Sequence, residues 1–283
     1  MVIVILVFLG LCFGSFVNAL TWRLHEQVRF RHKKLPNKDD KNLNRKLSIL
    51  KGRSICPSCE HILGSKDLVP ILSWLSLKGK CRYCQETISF QYPAVEAFVA
   101  ILFVASYIWW PASLTGIRVV IFILWLLLII GLVALVVYDI KWLILPNRIV
   151  YPLTYIAILI AVVRIIGSLD PLRTLIDLLL AVLIAGGLFY VLFQLSQGKW
   201  IGGGDVRLGF MLGFVMGTPG NSLLLLFIAS LAGSIVGVPL LLTKKLAKNS
   251  VIPFGPFLIL AAVIVQLFGT DILNWYQTTF FTY

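Results

Sequence analysis

Four of the chain's five cysteines fall in two C-x2-C pairs, Cys56-Pro-Ser-Cys59 and Cys81-Arg-Tyr-Cys84, with 21 residues between them. Each pair can supply two thiolates from one tight turn, and two pairs closing over one ion give tetrahedral zinc. All four positions are cysteine, which leaves no open site for water. The expected zinc is therefore structural, holding together a stretch too poor in core residues to fold alone. His61 stands too near Cys59 to displace a ligand and reads as a solvated loop residue. Cys12 lies in an apolar run and reads as a packing residue.

The second chemistry-bearing set is acidic. Glu96, Asp139, Asp177 and Asp205 are the few acids in or beside the long apolar runs. Local roles can be written for each. Asp177 would pair with Arg164 across a hairpin, and Glu96 would sit in the first turn of a helix opened by Pro93. Asp205, after Gly202-Gly203-Gly204, would be an N-cap. Asp139 ends an apolar run, where the helix dipole opposes a negative charge, so its local account is an ion pair with Lys141 or Arg148. As a pair, Asp139 and Asp205 can do more. Around one water, like-charge repulsion keeps one carboxylate protonated and leaves the other ionised. The ionised group takes a proton from water while the protonated one polarises a peptide carbonyl, which is aspartic-protease chemistry. The three glycines remove side chains where a substrate strand must approach.

These residues must be held in a bilayer. Of 283 residues, 59% are hydrophobic and 13% charged, against about 25% charged in soluble domains. The mean hydropathy is +0.93. A soluble multidomain enzyme, a disulfide-stapled secreted domain and a disordered chain are excluded. A hydrocarbon core of about 30 Å takes roughly 17 to 25 residues per helix. Eight apolar runs meet or approach this length: Val2 to Leu20, Ala94 to Trp110, Val119 to Tyr138, Ile149 to Gly167, Leu175 to Leu195, Val206 to Thr218, Leu223 to Thr243 and Phe254 to Phe268. The sixth and eighth are short. The expected fold is an all-α polytopic membrane protein of about eight transmembrane helices with a small zinc-binding loop module. Met1 to Leu20 has no basic flank before its apolar core and reads as a span rather than a signal peptide.

Charge sets the orientation. The segment Thr21 to Tyr92 carries 15 Lys and Arg against 6 Asp and Glu, most of the formal net charge of +13. With eight helices, Lys244, Lys245 and Lys248 fall on the same side. By the positive-inside rule this side is cytoplasmic and both termini are outside. The basic stretch Gln27 to Arg53, rich in Lys, Arg and Asn, reads as surface-bound or mobile. Topology and anionic lipid headgroups account for the charge, so nucleic acid is not an expected partner. The expected division is residues 1–20 as the first span, 21–92 as the cytoplasmic basic loop with its tetracysteine module, and 93–283 as a core of about seven helices. Two full spans separate Asp139 from Asp205, so both fall on one membrane face, here the cytoplasmic one.

In order along the chain stand Gly14-Ser15-Phe16-Val17-Asn18 with Arg23, the two C-x2-C pairs, Tyr92-Pro93-Ala94-Val95-Glu96, Asp139 followed by Leu145-Pro146-Asn147, Gly202-Gly203-Gly204-Asp205, and Pro253-Phe254-Gly255-Pro256-Phe257. Jointly these resemble the bacterial prepilin peptidases, membrane aspartic endopeptidases of the GxGD type that process type IV prepilins and pseudopilins. The resemblance implies that Asp139 and Asp205 are the catalytic aspartates and that Cys56, Cys59, Cys81 and Cys84 bind the zinc. It implies cleavage of a short basic leader after a glycine at the cytoplasmic boundary of the inner membrane, and N-methylation of the new terminus with S-adenosylmethionine. Gly202, Gly203, Gly204, Gly14, Ser15, Asn18, Arg23 and Glu96 are candidates for substrate or methyl-donor sites. Asn147 stands where family members often have Asp, with little expected effect on cleavage.

Three other readings make different demands. A transporter would place acids near the bilayer midplane and show inverted repeats. A zinc-bearing assembly factor would need the cysteines and neither aspartate. A presenilin-like protease would share the dyad and need no zinc loop.

Overall fold

The computed structural model describes residues 1–32, 48, 52–243 and 253–280. Most of the basic stretch from Gln27 to Arg53 lies outside the described residues, as do Lys244, Lys245 and Lys248. The chain forms two units, Met1–Tyr107 and Ile108–Tyr283. Among the described residues regular structure is helical, with only two isolated bridges, Ile55 with Ile62 and Lys80 with Thr87.

In the first unit, α1 (Val2–His32) continues well past the first apolar run. The short α2 (Leu72–Ser76) follows the cysteine region's first half, and α3 (Gln91–Ile108) closes the unit. α1 and α3 meet at small residues. A Cβ on Gly14 would stand 2.5 Å from the Glu96 Cα, and one on Gly10 would overlap the Ala100 backbone. Gly10 and Gly14 lie four apart on one helix face, the small-x-x-x-small spacing that lets helices approach closely in lipid.

In the second unit, α4 (Ile117–Trp142), α5 (Asn147–Ile166), α6 (Pro171–Ser196), α7 (Gly203–Met216), α8 (Pro219–Leu242) and α9 (Gly255–Phe280) follow one another. α6 starts with Asp170 accepting from the Arg173 amide and Pro171 in its first turn, both standard start signals. Seven helices of the described chain are long and apolar enough to cross a membrane. α7, the sixth apolar run, is the exception: its 14 residues span about 21 Å. The eighth run was short only in hydropathy. α9 has 26 residues, because Asp271, Asn274 and Gln277 end the apolar pattern without breaking the helix.

α7 is the centre of the unit and packs against α5, α6, α8 and α9. Val206, Leu208, Met211, Leu212, Val215 and Met216 are buried on it. Its approach to α6 again uses glycines four apart. A Cβ on Gly209 would stand 2.7 Å from the Ala185 carbonyl oxygen, and one on Gly213 would stand 2.6 Å from the Val182 Cα. The facing part of α6 contains a π-helical turn, Leu183–Gly187. Since backbone cannot yield as a side chain can, Gly213→Leu is expected to destabilise the purified protein by about 1–3 kcal/mol or more. A lowered thermal midpoint would register this, and an unchanged midpoint would exclude the close α6–α7 contact.

Candidate active site

The four cysteines converge. Their Sγ atoms all lie within 4.8 Å of one another, and Cys56 and Cys84 are 3.8 Å apart. Zinc–sulfur bonds of about 2.3 Å put the corners of a tetrahedron about 3.8 Å apart, so the set fits one ion. The two turns are built alike. The Cys56 amide donates to the His61 carbonyl and the Glu60 amide to the Cys56 carbonyl, both at 3.0 Å. The Cys81 amide donates to Glu86 (2.8 Å) and the Gln85 amide to Cys81 (3.0 Å). Glu60 and Gln85 take positive φ, 55° and 60°, which turns each chain back beside its second cysteine. His61 stacks on Tyr83, with ring centroids 3.7 Å apart.

Few apolar groups support this module. The Trp74 indole donates to the Ile88 carbonyl (3.0 Å) and Asp67 accepts from Arg82 (2.7 Å) and Tyr83. The bond from Arg82 holds the Asp67 carboxyl below its ordinary range. The support it gives is fully present above the ordinary carboxylate range and is lost as the pH falls below that range through the lowered value of the folded protein.

Also in the first unit, Gly14, Ser15, Asn18 and Glu96 come together. Glu96 is 7% exposed. It lies in the second turn of α3 rather than the first, because the helix starts at Gln91, before the proline. Its partners are not dipolar but specific: the Ile71 amide at 2.7 Å and the Ser15 hydroxyl. Ile71, a β-branched residue, sits at φ 58° in a γ-turn closed by Leu72 to Pro70, a strained conformation that surrounding contacts must hold. No sequence signal marked Ile71. The Asn18 amide donates to the Tyr92 carbonyl (3.0 Å) and accepts from Gln91. Arg23 faces elsewhere, donating to the carbonyls of Ser48 (3.2 Å) and Gly52 (2.9 Å) on the approach to Cys56.

In the second unit, Asp139 lies in the last turn of α4 and Asp205 in the first turn of α7, near enough for their charges to interact. Asp139 is 5% exposed, whereas Asp205 is half-buried. Each carboxylate accepts an amide at the start of a helix. Gly202, not Asp205, is the N-cap of α7; Asp205 is the third helical residue and accepts from the Gly202 amide, as the acidic member of a capping box does. Asp139 accepts from the Gly255 amide, the first residue of α9. The dipole that opposes Asp139 along its own helix is thus answered by the positive end of another. That role for Gly255 is invisible locally, since the two residues meet only through packing. Leu145 forms the floor: Cβ atoms added at Gly204 and Gly255 would stand 3.1 and 3.5 Å from its side chain.

A Cβ at Gly255 would also stand 2.6 Å from the Asp139 Oδ2. Gly255→Ala is therefore expected to leave the fold intact, since only a carboxylate end must move, and to lower turnover by about 10- to 100-fold. Unchanged turnover would show that Asp139 needs no such fixing.

The Arg164–Asp177 pair does not form. Arg164 donates to the Val215 carbonyl and to the Gln266 side chain, at 3.2 Å for the latter, because the end of α7 lies closer to it than α6 does and presents acceptors.

Residues 8–110 match the Bacterial Peptidase A24 N-terminal domain, and residues 126–238 the Type IV leader peptidase family. The chain is 36% identical over 230 residues to the Prepilin leader peptidase/N-methyltransferase of Bacillus subtilis (strain 168), covering 81% of this chain and 87% of that protein. It is 32% identical to the protein of the same name from Aeromonas hydrophila, covering 97% and 94%. It is 33% identical to the Type 4 prepilin-like proteins leader peptide-processing enzyme of Escherichia coli, covering 90% and 89%. No solved structure matches the chain significantly. With relatives of this identity aligned over most of its length, the chain belongs to the type IV leader peptidase family.

Proposed function

We propose that the chain is a membrane aspartic endopeptidase that removes the short basic leader from prepilins or pseudopilins and then methylates the new N-terminus with S-adenosylmethionine. One observation carries the first part: two carboxylates on different helices, close enough to repel, each held by a helix-start amide, with the side-chain-free run Gly202–Gly204 beside Asp205. A water between them loses a proton to the ionised aspartate while the other donates to the scissile carbonyl oxygen. The gem-diol intermediate then collapses as the C–N bond breaks: the departing amine takes the proton held by the first aspartate, and one gem-diol hydroxyl returns its proton to the second, restoring the pair. Gly202, Gly203 and Gly204 leave room for an extended strand to reach the water.

In this reading Cys56, Cys59, Cys81 and Cys84 hold one zinc, which cross-links the module and takes no part in the chemistry. Residues 1–20 are the first span, 21–92 the basic loop with its zinc module, and 93–283 the peptidase core. The basic loop and both aspartates face the cytoplasm at the inner membrane, with anionic lipid as the loop's partner and no nucleic acid. Gly14, Ser15, Asn18, Arg23 and Glu96 are the candidates for the methyl-donor site; the buried Glu96, tied to Ser15 and the Ile71 amide, supports that reading.

Mass spectrometry of a full-length prepilin incubated with the purified protein and S-adenosylmethionine tests both activities. Loss of the leader and gain of one methyl group on the product are expected. A prepilin set left intact overturns the peptidase reading, and an unmethylated cleaved product overturns the second activity alone.

A further inference from the structure

α5 ties to α7 at both ends. At its first residue, the Asn147 Oδ1 accepts from a guanidinium nitrogen of Arg207, two residues beyond Asp205. In its last turn, Arg164 donates to the carbonyl of Val215, in the last turn of α7, and also reaches Gln266 on α9. α7 then ends on Gly217 at φ 72°, where an added Cβ would stand 2.7 Å from the Arg164 guanidinium. The Asn221 side-chain amide donates to the Met216 carbonyl at 3.4 Å.

The physical need for the Arg164 end is plain. A helix of about 21 Å stops inside a hydrocarbon layer of about 30 Å. Its last carbonyls have no intrahelical donors and no water to replace them. A cation at the C-terminal end of the dipole satisfies both the carbonyl and the charge. The consequence for the dyad comes from connectivity. α5 begins just after Asp139, through the segment whose Leu145 lies against Gly204 and Gly255. One strut is thereby linked covalently to Asp139 and by hydrogen bonds to both ends of the helix that carries Asp205. A slip of α7 by one residue along its axis would move Asp205 by about 1.5 Å, and a displacement of about 1 Å costs about 100-fold in rate.

We propose that α5 is a clamp setting the distance between Asp139 and Asp205, with Arg164 and Arg207 as its positioning residues. This rests on the peptidase reading above. The test is steady-state cleavage of a prepilin by the purified full-length protein and by Arg207→Ala, Asn147→Ala, their double variant, Arg164→Met and Arg164→Lys, with Asp205→Asn as control. Each of Arg207→Ala and Asn147→Ala is expected to lower kcat about 10-fold with KM within about twofold, and the double variant to be no slower than either. Arg164→Met is expected to lose more, and Arg164→Lys to recover part of the loss. Unchanged kcat in Arg207→Ala, additive losses in the double variant, or losses confined to KM overturn the clamp. Should Arg164→Met fail to fold, the exposed Arg207–Asn147 pair decides alone. If the parent protein cuts no prepilin, the peptidase reading falls and the clamp with it. If the parent cuts and Asp205→Asn does not, only the clamp is at stake.

Discussion

Replacing either Asp139 or Asp205 by Asn is expected to abolish leader removal, with a loss of at least about 10³-fold for each variant and no further loss for the double. General acid and general base steps each contribute about 10²- to 10⁴-fold, and neither carboxylate can act without its partner on the shared water. Asn keeps the shape and can still accept the Gly255 or Gly202 amide. The fold should therefore survive, which near-unchanged helicity and thermal midpoint would verify. Methylation of a pre-cleaved pilin supplies the internal control: it should persist in both variants, because the candidate methyl-donor residues belong to Met1–Tyr107 and the dyad to Ile108–Tyr283. Residual cleavage within tenfold of the parent in either variant would sink the two-carboxylate mechanism.

Cys81→Ser is expected to reduce bound zinc from one ion per chain to nearly none under mild chelation. Loss of a supporting contact around a metal ligand already costs about 10- to 100-fold in affinity; loss of one of four thiolates should exceed that. The effect should spread beyond the metal. Cys81 is one of few buried residues in its surroundings, and the module between Ser54 and Ser89 holds its turns by backbone bonds, Trp74 and the Asp67–Arg82 contact. Metal loss should open this segment to limited proteolysis while the helices of Ile108–Tyr283 stay protected. Zinc stoichiometry unchanged in the variant would refute a four-cysteine site. Proteolysis unchanged after complete metal removal would show that the module folds without the ion.

Both sites could be read along the chain because their signals are local or depend on counting. Each C-x2-C pair forms in one turn, so spacing alone nominates the four candidate ligands, and the structure adds how closely their sulfurs meet. Asp139 and Asp205 lie at the ends of apolar runs two spans apart, so parity puts them on one face before any packing is known. The eight apolar runs likewise appear as helices, seven of them long and apolar enough to cross a membrane and the sixth, α7, shorter. Hydropathy fails where a helix outlasts its apolar stretch, as α9 does beyond Phe268, or where a start signal lies upstream, as with Gln91 before Pro93.

Partners remote in sequence followed no local rule. Arg164 was expected to pair with Asp177 across a hairpin, yet a buried cation is satisfied by whichever acceptors packing delivers, here the Val215 carbonyl at the end of α7 and Gln266. Asp139 was expected to find Lys141 or Arg148, and its amide donor comes instead from Gly255 at the start of the last helix. Ile71, in its γ-turn, donates its amide to the Glu96 carboxylate, a partner 25 residues away in sequence. Residue types, spacing and hydropathy were enough to point to the family and the helices and to nominate the candidate reactive side chains, because each of these is encoded within a few turns of chain. The orientation of those side chains, the amides that hold the two aspartates and the clamp on α7 depended on tertiary packing. They arise from contacts between helices whose meeting depends on the shapes of all their buried faces together.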